Sequence, residues 1–211
     1  MPVEMPRQSA AYQRLYLPFW KAFLGLGLFF LGPVEVRGAY RVPRKGGVLI
    51  LPNHISDCDP PVTQYACPRP THFMAKHDLF DIPILGWVAR KCGAFPVLRG
   101  SADLKALRYA VKLLQEGEAV TLYPEGETSE TGELQPLKEG FAWIAKVAKV
   151  PILCCGLVNT NRIMPYGKLW PRPAFQKVIV TWGEPKLFPP ETPQEEIIDW
   201  VEGQLRDLTA P

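Results

Sequence analysis

The residues best suited to chemistry lie in the stretch 48–61, VLILPNHISDCDPP, where an apolar run ends at a proline. His54 and Asp59 follow that run and stand five residues apart. Histidine exchanges protons readily near neutral pH, and loops after buried strands often carry such residues. A carboxylate against one imidazole nitrogen holds the tautomer and makes the other nitrogen more basic, so that it can take a proton from an alcohol. Asp57 is a competing partner for the imidazole.

Two later stretches carry residues that could contact a substrate. Residues 93–99, GAFPVLR, contain a predicted strand, 95–99, that ends in an arginine. Residues 123–126, YPEG, follow an apolar run and place Glu125 where α/β sheets collect their sites, beside Gly126, which lets a ligand approach the backbone. Taken singly, the arginine of the first of these stretches could be an ordinary surface residue, and Glu125 could be an ordinary turn carboxylate. Only their combination with the stretch 48–61 is therefore informative.

The apolar pattern predicts the elements that position these side chains. Residues 48–51 show no polar alternation, which predicts a strand buried on both faces, as in a parallel or mixed sheet covered by helices. Residues 119–123 are predicted to form a second buried strand. Further strands are predicted at 34–36, 71–75, 95–99, 151–158 and 178–182.

Helices are predicted between the strands. Ser101 is expected to cap a helix at 102–116 whose apolar face carries Leu104, Leu107, Val111 and Leu114. Asp59 is expected to cap a second helix, since two prolines follow it. Other helices are predicted at 83–91, at 138–149 and from 193 onward. The alternation predicts an α/β fold with a mixed, mostly parallel central sheet flanked by helices.

Residues 12–31, YQRLYLPFWKAFLGLGLFFL, are the most apolar and aromatic part of the chain. Their uninterrupted part, 22–31, is about half of the roughly 20 residues that a spanning helix needs, because Pro18 and Lys21 interrupt what precedes it. We therefore predict an interfacial or re-entrant helix with aromatic anchors, the alternative being a helix buried on the domain. The predicted division is an N-terminal tail and membrane-associating helix, 1–33, and an α/β domain, 34–211.

The length, net charge and cysteine content of the chain exclude some classes of function. A chain of 211 residues suffices for one well-buried domain. The net charge is +3 and the basic residues are scattered, so no nucleic-acid partner is expected. The five cysteines form no C-x-x-C pair, which indicates a reduced, intracellular compartment. The first ten residues, MPVEMPRQSA, lack the basic and apolar regions of a signal peptide.

The order NHxxxxD, GxFxxxR, PEG and then an apolar strand opening with Val150-Pro151 resembles the glycerolipid acyltransferase family, best known for the 1-acylglycerol-3-phosphate acyltransferases. The likeness extends from about residue 34 to residue 185. It implies an α/β enzyme on the cytoplasmic face of a membrane, peripheral or monotopic. It also implies transfer of a fatty acyl group from acyl-CoA or acyl-carrier protein to a lysophospholipid in phospholipid synthesis. No cofactor or metal is implied besides that co-substrate.

The same resemblance implies a role for each motif residue. His54 is then the general base that deprotonates the acceptor hydroxyl, and Asp59 orients it. The oxygen attacks the thioester directly, so no acyl-enzyme is needed. Arg99 is suited to a phosphate because a guanidinium forms paired charge-assisted bonds. The residues that correspond to the acceptor-binding motifs are Gly93, Phe95, Arg99, Glu125 and Gly126.

The third motif departs from the family pattern. The family usually continues Glu-Gly with Thr-Arg-Ser, whereas this chain reads Glu127-Thr128-Ser129. The change removes a cation that pairs with phosphate and adds a like charge, which weakens phosphate binding unless Lys138 or Arg162 substitutes. Acyl transfer is therefore better supported than a phosphorylated acceptor, and the alternatives to a lysophospholipid are another lipid alcohol or a polyol.

A metal-dependent hydrolase is a different interpretation of the first stretch. His54, Asp57 and Asp59, with Cys58 between the acids, supply several donors within six residues. Against this interpretation, the chain has no H-E-x-x-H motif or second carboxylate cluster, and its other histidines lack matching ligand spacing.

A non-catalytic peripheral membrane protein is the second alternative. Residues 12–31 would be its anchor, and four basic residues would form a surface for anionic lipid. The same four residues fit an ordinary solvated face; they are Arg162, Lys168, Arg172 and Lys177.

Overall fold

The computed structural model describes residues 10–91, 93–97, 103–168 and 170–210. Seven strands occur in these ranges: β1 (Val34–Arg37), β2 (Val48–Pro52), β3 (His72–Lys76), β4 (Phe95–Val97), β5 (Ala119–Thr121), β6 (Ile152–Val158) and β7 (Val178–Trp182). The α-helices of the same ranges are α1 (Ala10–Leu31), α2 (Asp59–Ala66), α3 (Pro83–Lys91), α4 (Leu104–Gln115), α5 (Gly140–Ala148), α6 (Thr160–Ile163) and α7 (Gln194–Thr209). Short 3-10 turns occupy Ala39–Arg41 and His77–Asp81.

The strands form one sheet in the order β1-β7-β6-β2-β5-β3-β4. All neighbouring pairs are parallel except β6 and β7, which are antiparallel. The predicted mixed, mostly parallel sheet flanked by helices is thus confirmed. β2 lies beside β5, with Val48 opposite Ala119, so the loops after these two strands leave the sheet at the same edge.

The uniform apolar character of β2 follows from its position between two cores. Its four apolar residues are fully buried. Val48 and Ile50 pack with Val62 of α2 on one face of the sheet. Leu49 and Leu51 face the other core, which contains residues of α4, α5 and α7. Because side chains alternate along a strand, burial of both faces requires an unbroken apolar run. Burial of each such side chain stabilises the fold by about 1.5–3 kcal/mol.

α4 begins later than its pattern predicts. Its N-cap is Asp103, whose carboxylate accepts hydrogen bonds from the backbone N–H groups of Lys105 and Ala106, each at 3.1 Å. Ser101, the predicted cap, lies outside the described residues. Leu104 was predicted on the buried face, but it is exposed because it opens the helix ahead of the first buried turn.

α1 continues through Pro18 and ends before Gly32-Pro33. One side of the helix packs on α2, where Leu28 is buried and Lys21 donates to the carbonyl of Cys67. Its other side leaves a set of large apolar residues exposed: Phe19, Phe23, Leu26, Phe29 and Phe30. No helix among the described residues is long and apolar enough to cross a membrane. The predicted association of α1 with a membrane surface stays a prediction.

Candidate active site

The loop between β2 and α2 carries His54, and its entry is anchored by Asn53. The Asn53 carboxamide donates to the carbonyl of Leu157 at 3.0 Å and accepts from the N–H of the same residue at 2.7 Å. These two bonds tie the end of β2 to β6. His54 is therefore presented at the edge of the sheet on a backbone with little freedom, and its side chain is buried except for a small fraction.

Asp59 holds the imidazole of His54 from one side. Its Oδ2 lies 2.9 Å from Nδ1 of His54 and accepts the backbone N–H groups of Ile55 and Ser56 at 2.7 and 2.8 Å. Asp59 is fully buried. A carboxylate in this position keeps a proton on Nδ1 and leaves Nε2 as the basic nitrogen.

The contacts of Asp59 correct one expectation from the sequence. Asp59 was predicted to be the N-cap of α2, but it is the first residue of the helix and Cys58 occupies the cap position. The carboxylate faces back into the loop, because two backbone N–H groups and the imidazole offer it more hydrogen bonds than a cap position would. The turn that was predicted to bring His54 and Asp59 together is present.

Glu125 braces the His54 loop from the neighbouring strand end. Its Oε1 accepts the backbone N–H of His54 at 2.6 Å, and its Oε2 accepts the backbone N–H of Gln135 at 2.8 Å. Burial raises the pKa of Glu125, against the lowering effect of these two backbone bonds. Both oxygens are occupied by backbone donors, so the geometry gives Glu125 a positioning role. Its predicted contact with the acceptor stays a prediction.

We expect Glu125→Gln to impair both folding and turnover. The amide would point an N–H₂ group at a backbone N–H of His54 or Gln135, leaving a buried donor without an acceptor. The free energy of unfolding should fall by about 1–3 kcal/mol, measured by chemical denaturation. The exposed Glu191→Gln is the matched control and should leave stability unchanged. A fully stable Glu125→Gln variant would contradict the bracing role.

Tyr123 fixes the plane of the imidazole. The two rings stack with centroids 4.0 Å apart at an interplanar angle of 25°. Burial raises the pKa of Tyr123 well above its ordinary value, so the phenol is neutral and presents an apolar face to His54. The sequence placed Tyr123 beside Glu125 but carried no signal that it would stack on His54.

Thr128 contacts the other nitrogen of the imidazole, a contact that the sequence did not predict. Its Oγ1 lies 3.1 Å from Nε2 of His54 and also donates to Oδ1 of Asp57 at 3.1 Å. Thr128 is buried, whereas Asp57 is exposed. Asp57 therefore does not compete with Asp59 for Nδ1. It stands on the opposite side of the ring, behind a hydroxyl.

The remaining predicted site residues lie farther from the imidazole or outside the described residues. Phe95 is fully buried and makes an edge contact with Tyr109 in the core. Gly93 and Gly126 both have positive φ, 75° and 80°, which explains the need for glycine at these turns. Arg99 lies outside the described residues. The acceptor contacts predicted for these residues stay predictions.

The donors that the alternative metal-dependent hydrolase would need do not converge. Asp59 faces Nδ1 of His54, and Asp57 lies behind Thr128 on the Nε2 side. Burial raises the pKa of the Cys58 thiol to about 12, which makes it a poor metal ligand. Among the described residues, three donors lie within 4.8 Å of one another only at the surface, in His77, Asp78 and Asp81.

A groove of about 630 Å³ opens beside the same loop. Asn53 and Ile55 line it, together with the cationic side chains Arg162 and Arg206. Neither His54 nor Asp59 lines this groove, whereas Arg162, a candidate substitute for the missing arginine, does, so the groove borders the His54 loop without containing the imidazole.

Comparison with known proteins gives concordant results. Residues 33–158 match the family model described as Acyltransferase. A 1-acyl-sn-glycerol-3-phosphate acyltransferase of Borreliella burgdorferi is 31% identical over 151 residues, covering 70% of this chain and 60% of that protein. The enzyme of the same name from Streptococcus pneumoniae is 35% identical over 162 residues, covering 69% of this chain and 60% of that protein.

A solved structure shares the fold. The crystal structure of the 1-acyl-sn-glycerophosphate (LPA) acyltransferase PlsC from Thermotoga maritima matches with a TM-score of 0.77 at 25% identity. The match covers 92% of this chain and 81% of that one. By contrast, this chain spans about 60% of the length of the Borreliella burgdorferi and Bacillus subtilis relatives.

Proposed function

Because this chain belongs to the acyltransferase family, we propose that it transfers a fatty acyl group from a thioester to the hydroxyl of a lysophospholipid, 1-acylglycerol-3-phosphate or a close analogue. The resemblance inferred from the sequence is confirmed by the family match and by the named relatives. The observation that carries the proposal is the geometry of His54, whose Nδ1 is held at 2.9 Å by the buried Asp59.

The proposed reaction uses His54 as a general base. Nε2 takes the proton of the acceptor hydroxyl while the oxygen attacks the thioester carbonyl carbon. As the tetrahedral intermediate collapses, the carbon–sulfur bond breaks and the proton on Nε2 passes to the sulfur. The products are an ester and a free thiol. Asp59 keeps the ring oriented and stabilises its charge while it is protonated.

The buried thiols support direct transfer without an acyl-cysteine. Burial raises the pKa of Cys58 and of Cys154 to about 12, so each carries a proton at neutral pH. The thiolate is the nucleophilic form of cysteine, and these two thiols are inert on that ground. Neither of these two thiols competes with the acceptor oxygen as the proposed attacking group.

The phosphate of the acceptor is proposed to bind cations near the third motif. Lys138 is the better placed of the two substitutes for the missing arginine, because its side chain runs beside Gly126. Arg162 instead lies in the adjoining groove, where its Nε donates to Asn159. We therefore propose Lys138 together with Arg99 as the phosphate ligands. A lipid alcohol without phosphate is the alternative acceptor.

The proposal leaves two acyl donors open and places the protein at a membrane surface. Acyl-CoA and acyl-carrier protein both present the thioester that the reaction requires. The exposed aromatic side of α1, with Phe23 and Phe30 among its residues, fits burial in the interfacial region of a bilayer. We propose that the protein works as a peripheral or monotopic enzyme on the cytoplasmic face of a membrane, where a lysophospholipid is delivered.

An acceptor screen with thiol detection tests the proposed function. The purified chain is supplied with acyl-CoA or acyl-carrier protein and with matched lipids that differ only in the phosphate, 1-acylglycerol-3-phosphate and monoacylglycerol. We expect thiol release that depends on the acceptor and is faster with the phosphorylated lipid. Binding to anionic vesicles without thiol release from either donor would favour a non-catalytic membrane protein and contradict the proposal.

Arg99→Ala is expected to separate acceptor from donor binding. Removal of the guanidinium should raise KM for 1-acylglycerol-3-phosphate by about tenfold to hundredfold, the loss of a charge-assisted bond to phosphate. KM for the acyl donor should stay within about twofold, because the donor is proposed to bind elsewhere. The exposed Arg108→Ala on α4 serves as the control for loss of one positive charge. Equal effects on both substrates would contradict Arg99 as the phosphate ligand.

A further inference from the structure

The reactive nitrogen of His54 already has a hydrogen-bonding neighbour. Thr128 Oγ1 stands 3.1 Å from Nε2, and the same oxygen donates to Oδ1 of Asp57 at 3.1 Å. Thr128 and His54 are each 9% exposed, so solvent reaches this contact only narrowly. In this chain the third motif reads Glu127-Thr128-Ser129, which places a hydroxyl side chain at this position.

The backbone holds the three groups in place. The N–H of Ser129 donates to the carbonyl of His54 at 2.8 Å, which fixes the loop of Thr128 against the loop of the base. The turn that carries Asp57 is closed by a bond from the N–H of Cys58 to the Ser56 hydroxyl at 3.0 Å. A chain of side-chain contacts that rests on two such backbone anchors is pre-organised.

The number of protons available at Thr128 determines which protonation state of His54 the contacts stabilise. The Thr128 hydroxyl has one proton to donate and lone pairs with which to accept. While Nε2 is unprotonated, the nitrogen and the Asp57 carboxylate compete for that one proton. Once the acceptor's proton is on Nε2, Nε2–H is shared between the acceptor oxygen and Thr128 Oγ1, and the Thr128 hydroxyl donates its own proton to Asp57. Every donor then has an acceptor.

We propose that Asp57 and Thr128 act as a positioning pair that stabilises His54 in the protonated state formed when it takes the acceptor's proton. This inference rests on the proposed function. The pair forms no covalent bond. The proton moves from the acceptor hydroxyl to Nε2 and later to the departing sulfur, while the Thr128 proton stays on its own oxygen and points to Asp57. Asp59 and Asp57 thereby support the charged ring from its two sides.

The pair favours the transition state over the ground state. Before transfer, Nε2 and Asp57 compete for the one Thr128 proton, so one of the two acceptors is always left without it. As the proton arrives, the same contact becomes a hydrogen bond from a charged donor. An interaction that strengthens only as the reaction proceeds raises kcat and leaves KM nearly unchanged.

Three variants of the full chain test the inference by steady-state thiol release. Thr128→Val keeps the shape and removes the hydroxyl, so kcat should fall about tenfold to hundredfold with KM for both substrates within about twofold. Thr128→Ser restores the hydroxyl and should stay within about threefold of the wild type. Adding Asp57→Asn to Thr128→Val should cost less than about twofold more, because the two groups act through one hydroxyl. Thr131→Val, an exposed threonine of the same loop, is the control.

Several results would overturn the inference. Wild-type kcat in Thr128→Val would do so, and so would fully additive losses in the double variant. An acyl adduct on Thr128, detected by intact-protein mass spectrometry, would make this residue a nucleophile in place of a positioning group. If Thr128→Val does not fold, the single variant Asp57→Asn, at an exposed position, tests the inference instead. We expect its kcat to fall about tenfold, and full activity in this variant would overturn the inference. A wild type that releases no thiol with any acceptor would overturn the proposed function itself.

Discussion

His54→Ala is expected to abolish ester formation, with kcat reduced by about 10²- to 10⁴-fold. Nε2 is the base in the proposed reaction, and alanine offers no nitrogen in its place. The measurement is thiol release from the acyl donor with and without acceptor.

The loss in His54→Ala must be separated from unfolding. Tyr123 stacks on the imidazole, so the variant loses a packing contact and its thermal unfolding is measured alongside activity. His54→Gln, which fills more of the space, should be equally inactive and closer to the wild type in stability. His77→Ala, a partly exposed histidine in a surface turn, should retain full activity. A folded and active His54→Ala enzyme would contradict the proposal.

Asp59→Asn is expected to have the second largest effect, a fall in kcat of about 10²- to 10⁴-fold. The neutral amide carries no negative charge beside the ring, so it no longer stabilises the imidazolium that forms when Nε2 takes the acceptor's proton. Among the described residues, all three hydrogen bonds to Asp59 fall on Oδ2, whereas the buried Oδ1 has no partner, so the amide N–H₂ group at the Oδ1 position would be a buried donor without an acceptor. The free energy of unfolding should therefore fall as well, by about 1–3 kcal/mol.

Two measurements separate the loss of kcat in Asp59→Asn from its loss of stability. Chemical denaturation gives the loss in stability, and kcat is measured at a temperature where the variant is fully folded. Asp78→Asn, at an exposed position, is the control for removal of a carboxylate. If Asp59→Asn lost stability but kept the wild-type kcat, Asp59 would be a structural residue of the loop only.

The core of the site could be predicted because its signals are local. The unbroken apolar run of β2 required burial on both faces, and the position of His54 and Asp59 just after it placed both at the sheet edge. Only a turn between them was needed for contact, and the following prolines indicated one. The cap of α2 was predicted wrongly because the Asp59 carboxylate finds more hydrogen-bond donors within the loop than at the helix start.

Contacts between distant loops could not be predicted in the same way. Thr128 meets His54 across 74 positions of sequence, and this depends on the register of β5 against β2 and on the path of the loop that follows. Glu125 was recognised as a motif residue, but its two backbone partners depend on the same path. Such contacts are set by tertiary geometry, and no local pattern of residue types encodes them.

The origin of the ester oxygen tests the central proposal most directly. 1-acylglycerol-3-phosphate with a heavy-oxygen label in its free hydroxyl is incubated with the chain and an acyl thioester, and the products are weighed by mass spectrometry. We predict one diacyl product for each thiol released, with the label retained in the new ester bond and no product with His54→Ala. Release of free fatty acid in place of the ester, or an ester without the label, would contradict direct transfer to the acceptor hydroxyl.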